Sequence, residues 1–286
     1  MITFGVIGGS GLYQMSDIEH GEWVKVTTPF GDPSDDYFVG EISGVKVVFL
    51  PRHGRGHRLL PSELNFRANI YGMKKLGVEQ LVAVSAVGSL KKEIAPGHLV
   101  VPDQFIDRTR GRISTFFGRG IVAHVTFADP MCSNLMQLLS RTARSVGATV
   151  HVGGTYVCME GPQFSTRAES FLYRSWGADV IGMTNLQEAK LAREAEICFA
   201  TLALATDYDC WNTEAGDVVI EEILAILNQN VAIAQRIIAQ MIPQLSAVRT
   251  CPCEHALENA IITDRALIPQ SVKQELAIFV GKYLGE

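Results

Sequence analysis

The sequence predicts an α/β fold, a domain built on a central mixed β-sheet flanked by helices and followed by a C-terminal helical tail. Three observations point there. Short apolar, β-branched runs alternate with segments of helical periodicity. No internal repeat or low-complexity linker interrupts them. With 286 residues, the chain is long enough to bury about three quarters of its unfolded surface. At about 150 residues per domain, the length alone suits two domains or one large α/β domain equally. Composition changes only after Pro243, which separates a main domain (1–245) from a helical extension (246–286).

The elements follow in order. Residues 2–9, ITFGVIGG, read as a buried strand ending in a glycine turn. Residues 39–51 read as a hairpin about Ser43-Gly44 whose second strand delivers Arg52 and His53 at its end. Ser62 caps a helix running to Leu76, and Gly77 stops it. LVAVSAVG (81–88) and HLVVPDQFID (98–107) are the next strands. Residues 134–146 form an amphipathic helix with Leu135, Leu138, Leu139 and Thr142 on one face, ended by Gly147. A strand at 149–158 follows, then Thr166 and Glu169 as a capping box for a helix reaching Trp176. ADVIGM is a strand, LQEAKLAREA a helix, and CFATLALAT a strand whose small and branched residues suit burial on both faces. Residues 217–241 carry Ile223, Leu227, Val231, Ala234, Ile238 and Met241 at helical spacing, a core-facing stripe. Past Pro243, a cysteine-containing connector leads to a helix opening near Pro269. Its apolar side, Val272, Leu276, Phe279, Val280 and Tyr283, packs either on its own domain or across a subunit interface.

Twenty-five basic residues against 30 acidic, a net charge of −5 and no run of five like charges exclude a general electrostatic footprint for nucleic acid or an anionic membrane. Any bound anion is held locally. The longest apolar stretch, Ile197 to Ala205, is under half the roughly 20 residues that cross a bilayer. The N-terminus lacks the basic region of a secretory signal, so a soluble cytoplasmic protein is the simplest placement. Six cysteines are too sparse for a disulfide scaffold, and no CxxC pair points to structural zinc; neither a metal nor a cofactor is expected. Cys132, Cys158, Cys198 and Cys210 read as buried thiols in apolar surroundings. Cys251 and Cys253, one residue apart, suit a small strained disulfide or two free thiols equally.

IGGSG at 7–11 places a glycine turn after a strand, where backbone N–H groups and the Ser10 hydroxyl suit a phosphate. It lacks the GxGxxG spacing and the following acidic residue of a dinucleotide fold. A bare turn would be the better reading if nothing converged with it. Arg52-His53-Gly54 ends a strand and offers a guanidinium fork. Ser85-Ala86 sets a hydroxyl inside an apolar run, and Thr184 follows ADVIGM at another strand end. Each alone is structural as readily as functional, yet together they suffice for one phosphate. Asp207 and Asp209, in TDYDCW, follow a buried strand and point the same way if the extended conformation continues. Close carboxylates raise each other's proton affinity, leaving one protonated near neutral pH; the plainer alternative is a pair of turn aspartates or a helix cap. Nothing near them in the sequence completes a metal cluster. Glu160 through Ser165 sets a carboxylate, an aromatic ring and a hydroxyl in one turn.

IGGSGL, PRHGRGH, NFRANI, GHLVVPDQFIDRT, EGPQFSTRAE, WGADVIGMT and ATDYDCW, in this order, resemble the trimeric purine nucleoside phosphorylase superfamily, most closely its 5′-methylthioadenosine phosphorylases, over roughly residues 2–245. The resemblance implies a phosphorylase/hydrolase-like single domain whose mixed sheet is partly barrel-like. It implies phosphorolysis, in which phosphate, a co-substrate, attacks C1′ of a nucleoside and releases the purine. Carried over by position, Ser10, Arg52, His53, Ser85, Ala86 and Thr184 hold phosphate, Met183 contacts the ribose, and Phe164 with Ser165 lines the base pocket. Asp207 and Asp209 read the purine, with Asp207 protonating N7. His124, in AHVTFADP, matches a residue lent to the 5′ pocket of a neighbouring subunit, and Ile220 a residue lining that pocket. A homotrimer or a dimer of trimers is implied.

A 6-amino group needs an acceptor such as Asp209, and a 6-oxo group needs a donor, so two aspartates favour adenine. Ser10 and Ser85 stand where threonine is common, which keeps both hydroxyls. Asn185 and Gln187 stand where threonine and proline are usual. The CPC tail resembles archaeal thermophilic members, in which such cysteines form disulfides. The competing readings are a broader phosphorylase acting on adenosine or on inosine and guanosine, a nucleoside-binding protein without turnover and, below these, a dinucleotide-dependent oxidoreductase.

Overall fold

The computed structural model describes residues 2–9, 11–212 and 220–285. In chain order the strands there are β1 (Thr3–Gly8), β2 (Glu19–Val24), β3 (Tyr37–Ile42), β4 (Val45–Pro51), β5 (Gln80–Ser89), β6 (Leu99–Val101), β7 (Gln104–Arg108), β8 (Val150–Val152), β9 (Thr155–Met159), β10 (Val180–Gly182) and β11 (Cys198–Asp207). The helices are α1 (Phe66–Lys75), α2 (Ser133–Ser145), α3 (Arg167–Ser175), α4 (Leu186–Glu194), α5 (Ile220–Met241), α6 (Gln270–Glu275) and α7 (Ala277–Leu284).

Most elements follow their local signals, and the departures have local causes. Ser43 and Gly44 take φ of 51° and 74°, the left-handed conformation that a two-residue hairpin needs between β3 and β4. The strand expected over 98–107 is two strands, because Pro102 has no amide to give a ladder. The strand expected over 149–158 is likewise cut at Gly153 and Gly154, whose φ are 84° and 109°. Ser62 sits in a 3-10 turn instead of capping a helix; Asn65 caps α1, its side chain accepting from the Ala68 amide. Thr166 and Glu169 form the expected capping box of α3. Strand β2 is exposed along almost its whole length and lacks the apolar alternation that announces a strand.

Strand β5 is the hub of the sheet. Its first half lies between parallel β1, with Ile7 opposite Ala83, and parallel β11, with Cys198 opposite Gln80. From Gly88 onward the β1 side passes to antiparallel β10, with Ile181 opposite Gly88. Residues 84–87 of β5 thus have no strand on that side among the described residues, and the ends of β1, β4 and β10 meet there. Beyond β1 the sheet runs through β4, β3 and β2, beyond β10 through β9 and β7, and beyond β11 through β6 and β8. The last two arms are joined by two-residue links, β6 to β7 and β8 to β9, so the mixed sheet curls back on itself like part of a barrel.

Strand alternation supplies both faces of the core. Val48, Leu50 and Leu81 join α1 and α4 on one face, through Ile70, Met73 and Leu191. Val47, Phe49 and Val82 join α2 and α5 on the other, through Leu139, Ala234 and Ile238. Each fully buried side chain of this kind contributes about 1.5–3 kcal/mol. Ile223, part of the expected stripe of α5, lies outside the described side chains; Ala234, Ile238 and Met241 are fully buried. The apolar side of the tail packs on its own chain. Val272, Leu276, Phe279 and Val280 enter the α1/α4 face of the core, and the Phe279 ring lies 4.3 Å from that of Phe116.

Glu194, the last residue of α4, ties the loop at 115–117 to that face by accepting from the Thr115 hydroxyl and the Phe116 amide, both at 2.7 Å. Burial pushes its carboxyl up to about 7. The folded state therefore keeps a proton that the unfolded chain has already lost. The stability Glu194 supports is complete below pH about 4.5 and falls as pH rises through about 7. Glu194→Gln should flatten the dependence of Tm on pH across that window, since a glutamine carbonyl can accept from Phe116 and its amide can donate to Thr115. An unchanged slope between pH 5 and 8 in calorimetry would assign the dependence to other groups.

Candidate active site

The gap beside residues 84–87 of β5 gathers most of the groups expected to hold phosphate. Ala86 is the exposed residue of an otherwise largely buried strand and lies within the span that has no strand beside it there. Ser85 Oγ and Thr184 Oγ1, from β5 and from just past β10, approach to 3.3 Å. A Cβ on Gly8 would lie 2.3 Å from Leu12 and 3.2 Å from the Val84 carbonyl, so only glycine lets the end of β1 come this close. Ser10 lies outside the described residues.

Arg52 enters the same gap from the end of β4, its amide bonded to the Gly8 carbonyl at 2.9 Å. Its guanidinium is buried and held by Glu188 of α4, through Nε at 2.5 Å and Nη2 at 3.0 Å. Nη1 donates to the Val84 carbonyl at 2.8 Å and Nη2 also to Asn185 Oδ1 at 3.1 Å. Four of the five guanidinium hydrogens are thereby engaged, which leaves one on Nη1 for an anion. Asn185, at φ 81°, is fully buried, and its Nδ2 has no partner among the described residues. Sequence reasoning passed over Glu188. Its signal was a carboxylate on the helix face that Leu191 and Ala192, three and four residues on, turn to the core.

His53 is half-buried, with Nδ1 2.8 Å from the Leu59 carbonyl and its ring stacked 4.4 Å from that of His57. A carbonyl only accepts, so Nδ1 carries the hydrogen and Nε2 is left as an acceptor. Burial, then the charge of Arg52, pushes the imidazole down to about 4, so it is neutral at pH 7. In this state His53 offers an acceptor at Nε2 and no positive charge.

The aspartates end β11 across the strand from Gly88. They do not share a face by strand alternation, because the extended conformation stops at a bulge between Ala205 and Asp207 and Asp209 turns at φ 50°. The turn itself couples them: Asp207 Oδ1 accepts from the Asp209 amide at 2.7 Å, and Oδ2 from the Thr206 hydroxyl at 2.8 Å. Burial raises both carboxyls, at Asp207 against the hydrogen bonds from the Thr206 hydroxyl and the Asp209 amide. The Asp207 charge raises Asp209 further. Asp209 Oδ2 is buried with no hydrogen-bond partner among the described residues, an unsatisfied acceptor of a kind that folded proteins seldom leave. A Cβ on Gly88 would lie 3.0 Å from Asp207 Oδ1 and 3.3 Å from Asp209 Cβ, so the glycine makes room for the pair.

The turn at 160–165 closes a further side. Gly161 lies against Met183, where a Cβ would come within 2.4 Å of its sulfur, and the Ser165 carbonyl accepts from the Cys210 thiol next to Asp209 at 3.3 Å. Phe164 keeps 56% of its surface exposed beside these groups. Arg112, also unremarked in the sequence, pins this rim. It pairs with the Glu160 carboxylate at 3.1 Å and donates to the carbonyls of Glu160 and, at 2.7 Å, Met183. A cavity of about 330 Å³ next to Glu160 and Arg112 is lined by neither aspartate. His124 is exposed, its amide bonded to the Ala260 carbonyl of the extension at 2.9 Å, and Ile220 is 61% exposed at the start of α5. No hydrogen bond among the described residues ties either side chain to the gap.

Residues 3–243 match the sequence model of the phosphorylase superfamily. The S-methyl-5′-thioadenosine phosphorylase of Geobacter sulfurreducens is 60% identical over 283 residues, 99% of each chain, and that of Koribacter versatilis 56% identical over 99% of this chain and 97% of its own. Among solved structures, a methylthioadenosine phosphorylase from an antarctic soil metagenomic library superposes with a TM-score of 0.93 at 48% identity, covering 97% of this chain and 98% of the other. The Schistosoma mansoni methylthioadenosine phosphorylase in complex with tubercidin gives 0.82 at 35%, over 90% of this chain and 96% of that one.

Proposed function

The chain belongs to the phosphorylase superfamily, and from that premise we propose that it is an enzyme catalysing phosphorolysis of 5′-methylthioadenosine to adenine and 5-methylthioribose-1-phosphate. One observation carries this reading. Two carboxylates with raised proton affinity, Asp207 half-buried and Asp209 buried with an unpartnered acceptor oxygen, stand across β5 from a gap rimmed by hydroxyls and a guanidinium. Breaking the N-glycosidic bond builds positive charge on the sugar and negative charge on the purine. Phosphate, positioned by Arg52, His53, Ser85, Ala86 and Thr184, supplies the nucleophile for C1′. Asp207, protonated, gives its proton to N7 as the base leaves. Asp209 accepts from the 6-amino group, Phe164 and Ser165 line the base, and Met183 lies along the ribose. The reaction as written needs no metal or redox cofactor.

The exposed Phe164, His124 and Ile220 favour a homo-oligomer, a trimer or a dimer of trimers, in which a neighbour covers the 5′ side of the substrate. Among the described residues no helix is long and apolar enough to cross a membrane, in keeping with a cytoplasmic salvage enzyme.

The test is base release, by chromatography, from methylthioadenosine, adenosine, inosine and guanosine, each with and without phosphate. Adenine should appear only with phosphate and fastest from methylthioadenosine. Faster release from inosine or guanosine would overturn the assignment of the aspartates. Asp209→Asn should turn the acceptor facing the 6-position into a donor and shift kcat/KM from methylthioadenosine toward inosine by about 10²-fold or more, since a mispaired buried polar group is costly. An unchanged ratio would remove Asp209 from base recognition.

A further inference from the structure

At the opposite end of β11 from the aspartates, about 30 Å along the strand, four buried cysteines converge. Cys198 opens β11, Cys132 precedes α2, and Cys251 and Cys253 flank the start of the 3-10 turn after α5. The four sulfurs all lie within 4.8 Å of one another, with Cys198 and Cys251 at 3.3 Å, and all are free thiols. A tetrahedral ion with metal–sulfur bonds of about 2.3 Å places its four sulfurs about 3.8 Å apart, within that spread. A backbone bond from the Cys132 amide to the Phe199 carbonyl, 2.8 Å, holds the first two ligands side by side. The linear sequence hides the set, because its members come from three separate segments with no CxxC spacing.

We propose that Cys132, Cys198, Cys251 and Cys253 form a structural tetrathiolate site for a single zinc-class divalent cation, which fastens the C-terminal extension to the core. A single ion fits better than pairwise disulfides, because each sulfur here approaches all three others and not one partner. It also fits better than an iron–sulfur cluster, which would spread its thiolates over separate irons. All-sulfur tetrahedral donor sets select zinc among the common divalent ions. Binding replaces four S–H bonds by four metal–sulfur bonds and releases four protons, leaving a site of charge −2. Arg141 and Arg249, the latter paired with Glu254 at 3.2 Å, are the cations nearest in the lining of the adjacent cavity. With Cys132, Cys198 and Cys251 they line a cavity of about 240 Å³ that opens a route from solvent. The staple lies just before Leu257 and the run to Phe279 that completes the α1/α4 core face, so the ion would act on stability and not on chemistry.

The whole protein, expressed with zinc and purified under reducing conditions, should contain one zinc per chain by mass spectrometry. After exchange, cobalt should give the thiolate-to-metal charge-transfer band and intense tetrahedral d–d bands. Cys253→Ser should weaken cobalt affinity at least about tenfold and lower Tm, with kcat per folded enzyme unchanged. Alkylation of the unfolded, unreduced protein should label all six cysteines. No zinc or cobalt bound by the folded wild-type protein would overturn the proposal, as would two disulfides in place of four of the thiols. Neither result bears on phosphorolysis.

Discussion

Replacing Asp207 by asparagine should lower kcat for methylthioadenosine by about 10²- to 10⁴-fold, the range set by losing a positioned general acid, while Tm changes little. Asparagine keeps the shape of the side chain, and its carbonyl can still accept from the Asp209 amide that Asp207 binds at 2.7 Å. What it loses is the proton. In the wild-type enzyme, burial raises the carboxyl, so the competent protonated form is lost as pH rises through that elevated pKa. The wild-type rate should therefore fall on the alkaline side, and the residual rate of the variant should lose that limb. If Asp207 only shaped the turn, Asp207→Asn would lower Tm and leave kcat per folded molecule, with its pH profile, unaltered.

The second large effect belongs to Glu188, which sequence reasoning did not single out. Glu188→Leu should destabilise the protein by about 3–5 kcal/mol, because it leaves the buried Arg52 guanidinium without its counter-charge. It should also raise KM for phosphate more than it lowers kcat, because Arg52 would lose the two bonds, at 2.5 Å and 3.0 Å, that fix its plane across the gap. The double variant Arg52→Met, Glu188→Leu removes both charges and should recover most of the stability but none of the phosphate affinity. Urea unfolding together with phosphate saturation curves separates these effects. A Glu188→Leu protein within about 0.5 kcal/mol of wild type would mean that water or another acceptor reaches Arg52. An unchanged phosphate KM would make the pair structural alone.

Several of the residues proposed to hold phosphate and purine were legible because they stand at strand ends, and strand ends carry local marks. Arg52 and Thr184 follow apolar runs, and Asp207 ends a long strand buried at every other position. The pairing of Asp207 with Asp209 was anticipated for the wrong reason. Alternation along a strand predicted it, whereas a bulge and a left-handed turn produce it, and nothing in TDYDCW distinguishes the two. Glu188 gave a weak sign, a charge on an apolar helix face. Arg112 and Gly88 gave none, because their roles depend on what lies opposite. The breaks in the strands over 98–107 and 149–158 were written in Pro102 and Gly153-Gly154, though the alternation around them masked the cuts.

By itself, then, the sequence determined most of the segments that become strands and helices, β2 excepted, and where most of them stop, because periodicity, capping and turn chemistry act within a few residues. It also determined which side chains with chemistry stand at those ends. Only the tertiary structure decided which of them meet. Arg52 finds Glu188 across 136 positions of chain, and Cys132 reaches Cys253 through the ends of β11 and α2. Such meetings depend on the strand order around β5, which leaves one gap beside residues 84–87 and draws three chain segments together at the far end of β11. The free energy of an ion pair or a thiolate cluster depends on the distance and burial of partners that are remote in sequence, and no local property of the chain carries that distance.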